Sequence, residues 1–167
     1  RIYPVETHIA EKFHAFTLPR SRPNSRVKDL PDIALLALTR DLESGIYDDP
    51  EFLDAVKHLC LSRSYARIRV LVTNPHRTLR DGNRFVYLGR RLSTFVEFRH
   101  ISEQYRDHNE AFMIADENAL VFRADADRWE GISDTSEPTI ARRYLNTFDE
   151  IWAHSKPAHE FRQLHIS

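Results

Sequence analysis

A single cysteine, Cys60, stands among 167 residues, which excludes an internal disulfide. It falls on the apolar side of a helix expected over residues 51–63, where a thiol reads as a small buried hydrophobe. No apolar run approaches the roughly 20 residues needed to span a bilayer. Arg1-Ile2-Tyr3-Pro4 lacks the make-up of a signal peptide, so no membrane association and a cytoplasmic location are the expectations. The first residue is not methionine, as in a piece of a longer chain. Metal-ligand spacing is missing as well. The nine histidines are scattered; His8 and His14 lie on different helical faces, and His159-Glu160 lacks the second histidine of a zinc-protease helix. Neither a metal nor a cofactor is expected.

What is present is the composition of an ordinary folded domain, with 41% hydrophobic and 29% charged residues, enough for one core but not for two full domains. The net charge of −1 conceals an asymmetry. Residues 41–60 hold six acids against one lysine, residues 61–100 nine arginines against Asp81 and Glu97, and residues 101–167 thirteen acids against seven bases. Such a basic block either folds into internal ion pairs or presents a positive face to phosphate-rich partners.

Hydrophobic periodicity predicts a helix from Val5 to Leu18, ended by Pro19, and a short helix from Asp29-Leu30-Pro31-Asp32 through Leu36. A strand over Ala37–Leu42 then leads into an acidic loop, Ser44 to Pro50. Phe52, Ala55, Val56, Leu59 and Cys60 mark an amphipathic helix. Arg67-Ile68-Arg69-Val70-Leu71-Val72 alternates charge with aliphatic residues before turning continuously apolar, as a strand entering a buried sheet does. A helix over Thr78–Leu92, a strand over Phe95–Arg99 and a hairpin over residues 110–123 follow. Thr139–His154 closes the series as a helix with an apolar stripe that includes Phe148, Ile151 and Trp152. Helices alternating with strands predict an α/β layered fold, a mixed sheet flanked by helices, with an N-terminal helical segment.

Within the hairpin lies Asn109-Glu110-Ala111-Phe112-Met113-Ile114-Ala115-Asp116. Its spacing resembles the His-x-Lys-x-x-x-x-Asp motif of phospholipase D enzymes, with Asn109 in the place of the histidine, Ala111 in that of the lysine, and Asp116 kept. Together with Thr39-Arg40-Asp41-Leu42, the Tyr47 to Phe52 loop, Ala66 to Asn74 and Phe161-Arg162-Gln163-Leu164, this motif makes residues 39–167 resemble a degenerate phospholipase-D-like bacterial domain of unknown function. The resemblance implies a half-size phospholipase-D-like fold. A carboxamide is a far poorer nucleophile than imidazole and a methyl group cannot hold a phosphate, so it also implies a lost covalent phosphoryl transfer. Asp116 reads equally as a turn residue of the hairpin. Arg123, Arg128 and Trp129 are candidates for an anionic, aromatic ligand, since guanidinium pairs with phosphate and indole stacks on bases.

Residues 3–37 carry Ala10-Glu11-Lys12 followed by Arg26-Val27-Lys28-Asp29-Leu30-Pro31-Asp32. This pattern resembles the C-terminal part of AbiEii-type nucleotidyltransferase toxins, which implies active-site positions at Lys12 and at Asp29 or Asp32. The metal-binding Asp-x-Asp of that family is not found upstream, and Asp125-Ala126-Asp127 reads as a surface loop. The domain organisation expected is therefore 1–38, a toxin-like helical segment, and 39–167, a unit that folds by itself. Three functions follow: a non-catalytic phospholipase-D-like binding or regulatory module, whose partner is a protein, a second copy or an anionic ligand; a truncated nucleotidyltransferase toxin that needs a missing catalytic half; or a basic nucleic-acid-binding module that uses the 61–100 arginines.

Overall fold

A computed structural model describes residues 2–4, 33–116, 119–128, 130–134 and 138–162. Eight strands form one mixed sheet: β1 (Ile2–Pro4), β2 (Ile33–Thr39), β3 (Arg67–Val72), β4 (Val96–His100), β5 (Ala111–Ala115), β6 (Ala119–Arg123), β7 (Glu130–Asp134) and β8 (Lys156–Pro157). Their order is β1-β7-β6-β5-β2-β3-β4-β8. The centre, β2-β3-β4, is parallel, and every other pairing is antiparallel. Among the described residues five helices flank the sheet: α1 (Ser44–Tyr47), α2 (Pro50–Ser62), α3 (Pro75–Asp81), α4 (Arg84–Arg91) and α5 (Pro138–Ala153).

The alternation of side chains along each strand divides the core in two. Leu35, Ala37, Ile68, Val70, Val72, Val96, Phe98, Met113 and Ala115 pack with Phe52, Val56, Leu59 and Phe85 of α2 and α4. Leu36, Leu38, Leu71, Phe112, Ile114 and Leu120 pack with Ala141, Phe148, Ile151 and Trp152 of α5. On the first face, edge-to-face ring contacts at 5.3–5.4 Å link Phe52 to Phe85, Phe85 to Phe98 and Phe98 to Phe161. Helix α4 sits so close to β4 that a Cβ on Gly89 would lie 2.5 Å from the Phe98 ring.

Local chemistry sets the helix starts. Asp49 accepts hydrogen bonds from the Glu51 and Phe52 amides at 2.8 and 3.2 Å, with Pro50 in the first turn of α2, an N-cap arrangement. Asn83 does the same for Phe85 and Val86 at the start of α4.

Several expectations shift. Residues 33–36 belong to β2 and not to a helix, because a short apolar run has the same pattern in a buried strand as in a buried helix. The helix expected from Thr78 to Leu92 is two, broken where Gly82 adopts φ +77°. The acidic loop contains α1; β1, within the segment expected to be helical, β7 and β8 were not anticipated. The helix expected over Val5–Leu18 and the helical residues 29–32 lie outside the described residues, as do Lys12, Asp29 and Asp32. No helix among the described residues is long and apolar enough to cross a membrane.

The 38/39 boundary falls inside β2, whose Leu35, Leu36, Ala37 and Leu38 are each at most 1% exposed. A chain beginning at Thr39 therefore lacks the strand that both cores share. We expect it to show no cooperative thermal transition by circular dichroism, whereas the whole chain unfolds in one step.

Candidate functional site

At one end of the sheet, Thr39, Ala111 and Arg123 stand side by side on β2, β5 and β6. Ala111 pairs in register with Arg123, and Thr39 is one residue past the Leu38–Phe112 pair. All three continue the face that carries Ala37 and Met113. Arg123 is 3% exposed. Its Nη2 donates to Glu43 Oε1 in a short ion pair, and its Nη1 donates to the Arg128 carbonyl at 3.4 Å. Glu43 Oε2 accepts from Thr39 Oγ1 at 2.8 Å, and Thr39 Oγ1 accepts from the Leu42 amide at 3.1 Å. Leu42 itself has φ 54°, a turn that reverses the chain and returns Glu43 over the end of β2. Since β5 lies between the strands that carry the two partners, the guanidinium crosses above Ala111, and the methyl group leaves it room. Tyr47, wholly buried beside this network, has its hydroxyl pKa pushed up by desolvation.

Beyond the carboxyl ends of β2 and β3 opens a cleft of about 300 Å³, lined by Arg40, Asp41, Glu43, Arg77, Asn83 and Asp127 among others. Such ends are where open α/β sheets hold ligands. Thr78 Oγ1 donates to the Asp41 carbonyl at 2.6 Å and Asn83 Nδ2 to the Leu42 carbonyl at 2.9 Å, which pins the wall. Arg77 lies 3.3 Å from Asp41, and Arg40 is paired with Asp127. Burial raises the Asp41 pKa above its ordinary value, and the neighbouring Glu43 adds to the rise; Arg77 and Arg40 oppose it. No histidine lines the cleft. Among the described residues no group of three or more His, Cys, Asp or Glu side chains is placed to hold a metal. The arrangement offers donors and acceptors to a polar ligand, with the exposed Ser44 hydroxyl at the rim.

The residues singled out from the sequence are spread along the hairpin. Asn109 is exposed, and its carbonyl accepts from the Ala126 amide at 2.8 Å, which places it next to the cleft wall. Ala111 is 5% exposed beneath Arg123. Asp116 lies at the far end of β5, five residues or roughly 17 Å away, with φ 49° in the β5–β6 turn and its carboxylate 3.0 Å from Arg63. His108 Nε2 is 3.2 Å from Glu110 Oε2 without the alignment of a hydrogen bond. Arg123 and Arg128 are joined, but through the Arg128 carbonyl; the Arg128 guanidinium is exposed and 3.8 Å from Asp125. Trp129 lies outside the described residues. Thr39, Asp41, Glu43, Tyr47 and Asn83 were not anticipated as site residues. The signal for them was acids placed directly after a continuously apolar strand, where a loop meets the end of a sheet.

A buried ion pair is expensive to break from one side, because the remaining charge is left without water or partner. Arg123→Ala and Glu43→Ala should each lower stability by about 3–5 kcal/mol in denaturant titrations, and the double variant by less than the sum. Asp41→Asn should act in the opposite sense. A carboxyl whose folded pKa is raised favours the neutral form, and that contribution is lost as pH rises through the folded value. The permanently neutral amide should therefore stabilise the protein near pH 7, with the gain shrinking toward the ordinary carboxylate value of 3.8.

The solved structures that share the fold include these two. TrmBL2, an archaeal chromatin protein whose structure shows a novel mode of DNA binding, is 12% identical with a TM-score of 0.53, over 93% of this chain and 53% of that one. This chain thus spans about half of TrmBL2. Nuc from Salmonella typhimurium, a phospholipase D family member, is 11% identical with a TM-score of 0.52, over 93% of both chains. No curated protein matches. None of these matches supports the resemblance of residues 3–37 to AbiEii-type toxins. The model of the domain of unknown function DUF7931 matches residues 33–164, from the first residue of β2 onward, and the chain belongs to that family.

Proposed function

We propose that this α/β domain of phospholipase-D-like fold is a non-catalytic binding or regulatory module, which meets a polar ligand or a protein partner at the cleft beyond β2 and β3. One observation carries the reading. The space above residue 111, where a motif lysine would hold a phosphate, is crossed by the buried Arg123 guanidinium on its way to Glu43. The cation nearest the degenerate motif is thus neutralised inside the fold, and Asn109 supplies no nucleophile. Fold likeness alone does not decide the matter, since a phospholipase D family member and a DNA-binding chromatin protein share this architecture.

The expected outcome is that the whole chain does not turn over bis(p-nitrophenyl) phosphate. Turnover that is lost in His108→Ala but kept in Asn109→Ala would overturn the proposal. Ala111→Lys should lower the thermal midpoint, because a four-carbon ammonium side chain is driven into the Arg123–Glu43 pair. Adding Arg123→Ala to Ala111→Lys should recover part of that loss. A fully additive double variant would show that the two side chains do not contend for one space.

A further inference from the structure

The face of the sheet that carries α5 is only partly covered by it. On β3, Arg67 and Arg69 alternate with the buried Ile68 and Val70. Arg69 stands opposite Glu97 of β4, and Arg99 opposite Leu71. Four charged side chains of the two strands therefore share the α5 side beside and beyond Leu71, three arginines against one carboxylate. A sheet closed on both faces reads as continuously apolar strands, and β3 departs from that pattern only in this half.

The arginines are gathered, not splayed. The central guanidinium carbon of Arg99 lies 4.1 Å from the centroid of the Trp152 ring, and that of Arg69 lies 5.2 Å from it. Trp152 in turn stacks on Phe148 at 5.6 Å with an interplanar angle of 20°. Arg99 Nε donates to Glu97 at 2.9 Å and its Nη1 to the Trp152 carbonyl at 3.0 Å, which fixes that guanidinium. Arg67 has its Nη1 on the neighbouring Ala66 carbonyl at 2.9 Å. Two like charges are thus held over one indole with a single carboxylate between the strands, and an anion would relieve their repulsion. Residues 61–100 contain no lysine; planar guanidinium both grips phosphate bidentately and stacks on flat rings, which an ammonium does not.

We propose that this arginine-bearing, half-exposed part of the sheet, β3 and β4 beside α5, is a docking face for single-stranded nucleic acid. Arg67 and Arg69 take the phosphodiester backbone, and an unpaired base extends the stack of Phe148, Trp152 and Arg99. Charge complementarity selects a polyanion, and the stack favours unpaired bases over a duplex. The surface is separate from the cleft and does not rest on the fate of the phospholipase-D-like motif.

The test is fluorescence anisotropy of the whole chain with a labelled 20-nucleotide oligothymidylate and with a duplex of the same length, across a salt series. The expected result is binding of the single strand that weakens with salt and exceeds binding of the duplex. Arg67→Ser with Arg69→Ser should weaken it by about tenfold or more and lower the salt slope by about 1.4, since each phosphate contact in a single strand contributes about 0.7. Arg67→Lys with Arg69→Lys should keep most of the slope, and this pair retains the charge should the serine variant not fold. Arg84→Ser with Arg91→Ser, exposed positions on α4 across the sheet, should leave binding unchanged. No binding by the wild type, equal or tighter binding of the duplex, or loss of binding only in the α4 variant would each overturn the assignment. A chain that neither cleaves nor binds the oligonucleotide would overturn this proposal and leave the non-catalytic reading standing.

Discussion

One guanidinium, withdrawn from water and seated on one carboxylate, fixes how the end of this sheet is built. Arg123 ties β6 to the segment that leaves β2, with β5 held beneath them. Each further feature of that end follows from the need to satisfy those two charges. Thr39 donates to the second carboxylate oxygen, the Leu42 backbone turns through an unusual φ to bring Glu43 back, and residue 111 stays small. The cleft takes its shape from the same turn, since Asp41 and Glu43 leave the strand together and form its wall.

The Arg123 guanidinium is 3% exposed and held inside the fold. Other charged groups are more accessible: around the cleft rim, where carboxylates and arginines meet, and, half-exposed, on β3 and β4 beside α5. The arginine-rich block therefore has two fates at once. Arg63 is paired with Asp116 and Arg77 with Asp41, while Arg67 and Arg69 have no carboxylate within ion-pair distance among the described residues. Internal pairing thus accounts for arginines at the end of α2 and in α3, and not for the two on β3.

Elements with a full periodic signature were legible from the sequence. The Arg67–Val72 strand, the hairpin at residues 111–123, the α2 stripe and the α5 stripe each bury a long run of residues at one period, so local pattern and tertiary burial agree. Residues 33–36 misled because a four-residue apolar run fits two periods equally, and only the pairing of β2 with both β3 and β5 selects the strand. β7 hid because Glu130-Gly131-Ile132-Ser133-Asp134 has a single large apolar residue. In the site, Asn109 and Ala111 were visible as departures from a spacing. Glu43 was not visible, because its role depends on a partner 80 residues away that no local pattern names. Arg123 was noticed for its charge, yet its burial comes from the register of three strands.

Among the described residues the outermost strand at each margin of the sheet contains a proline. At one side β8 is two residues long and contains Pro157, paired with Arg99; at the other β1 is three residues long and contains Pro4, paired with Glu130. A proline has no amide hydrogen to offer, and a strand this short presents too few donors and acceptors to template another. Among the described residues, two outer backbone positions of the sheet therefore offer no amide hydrogen to an added strand. At those two positions side chains, and not backbone donors, set what can approach the margin.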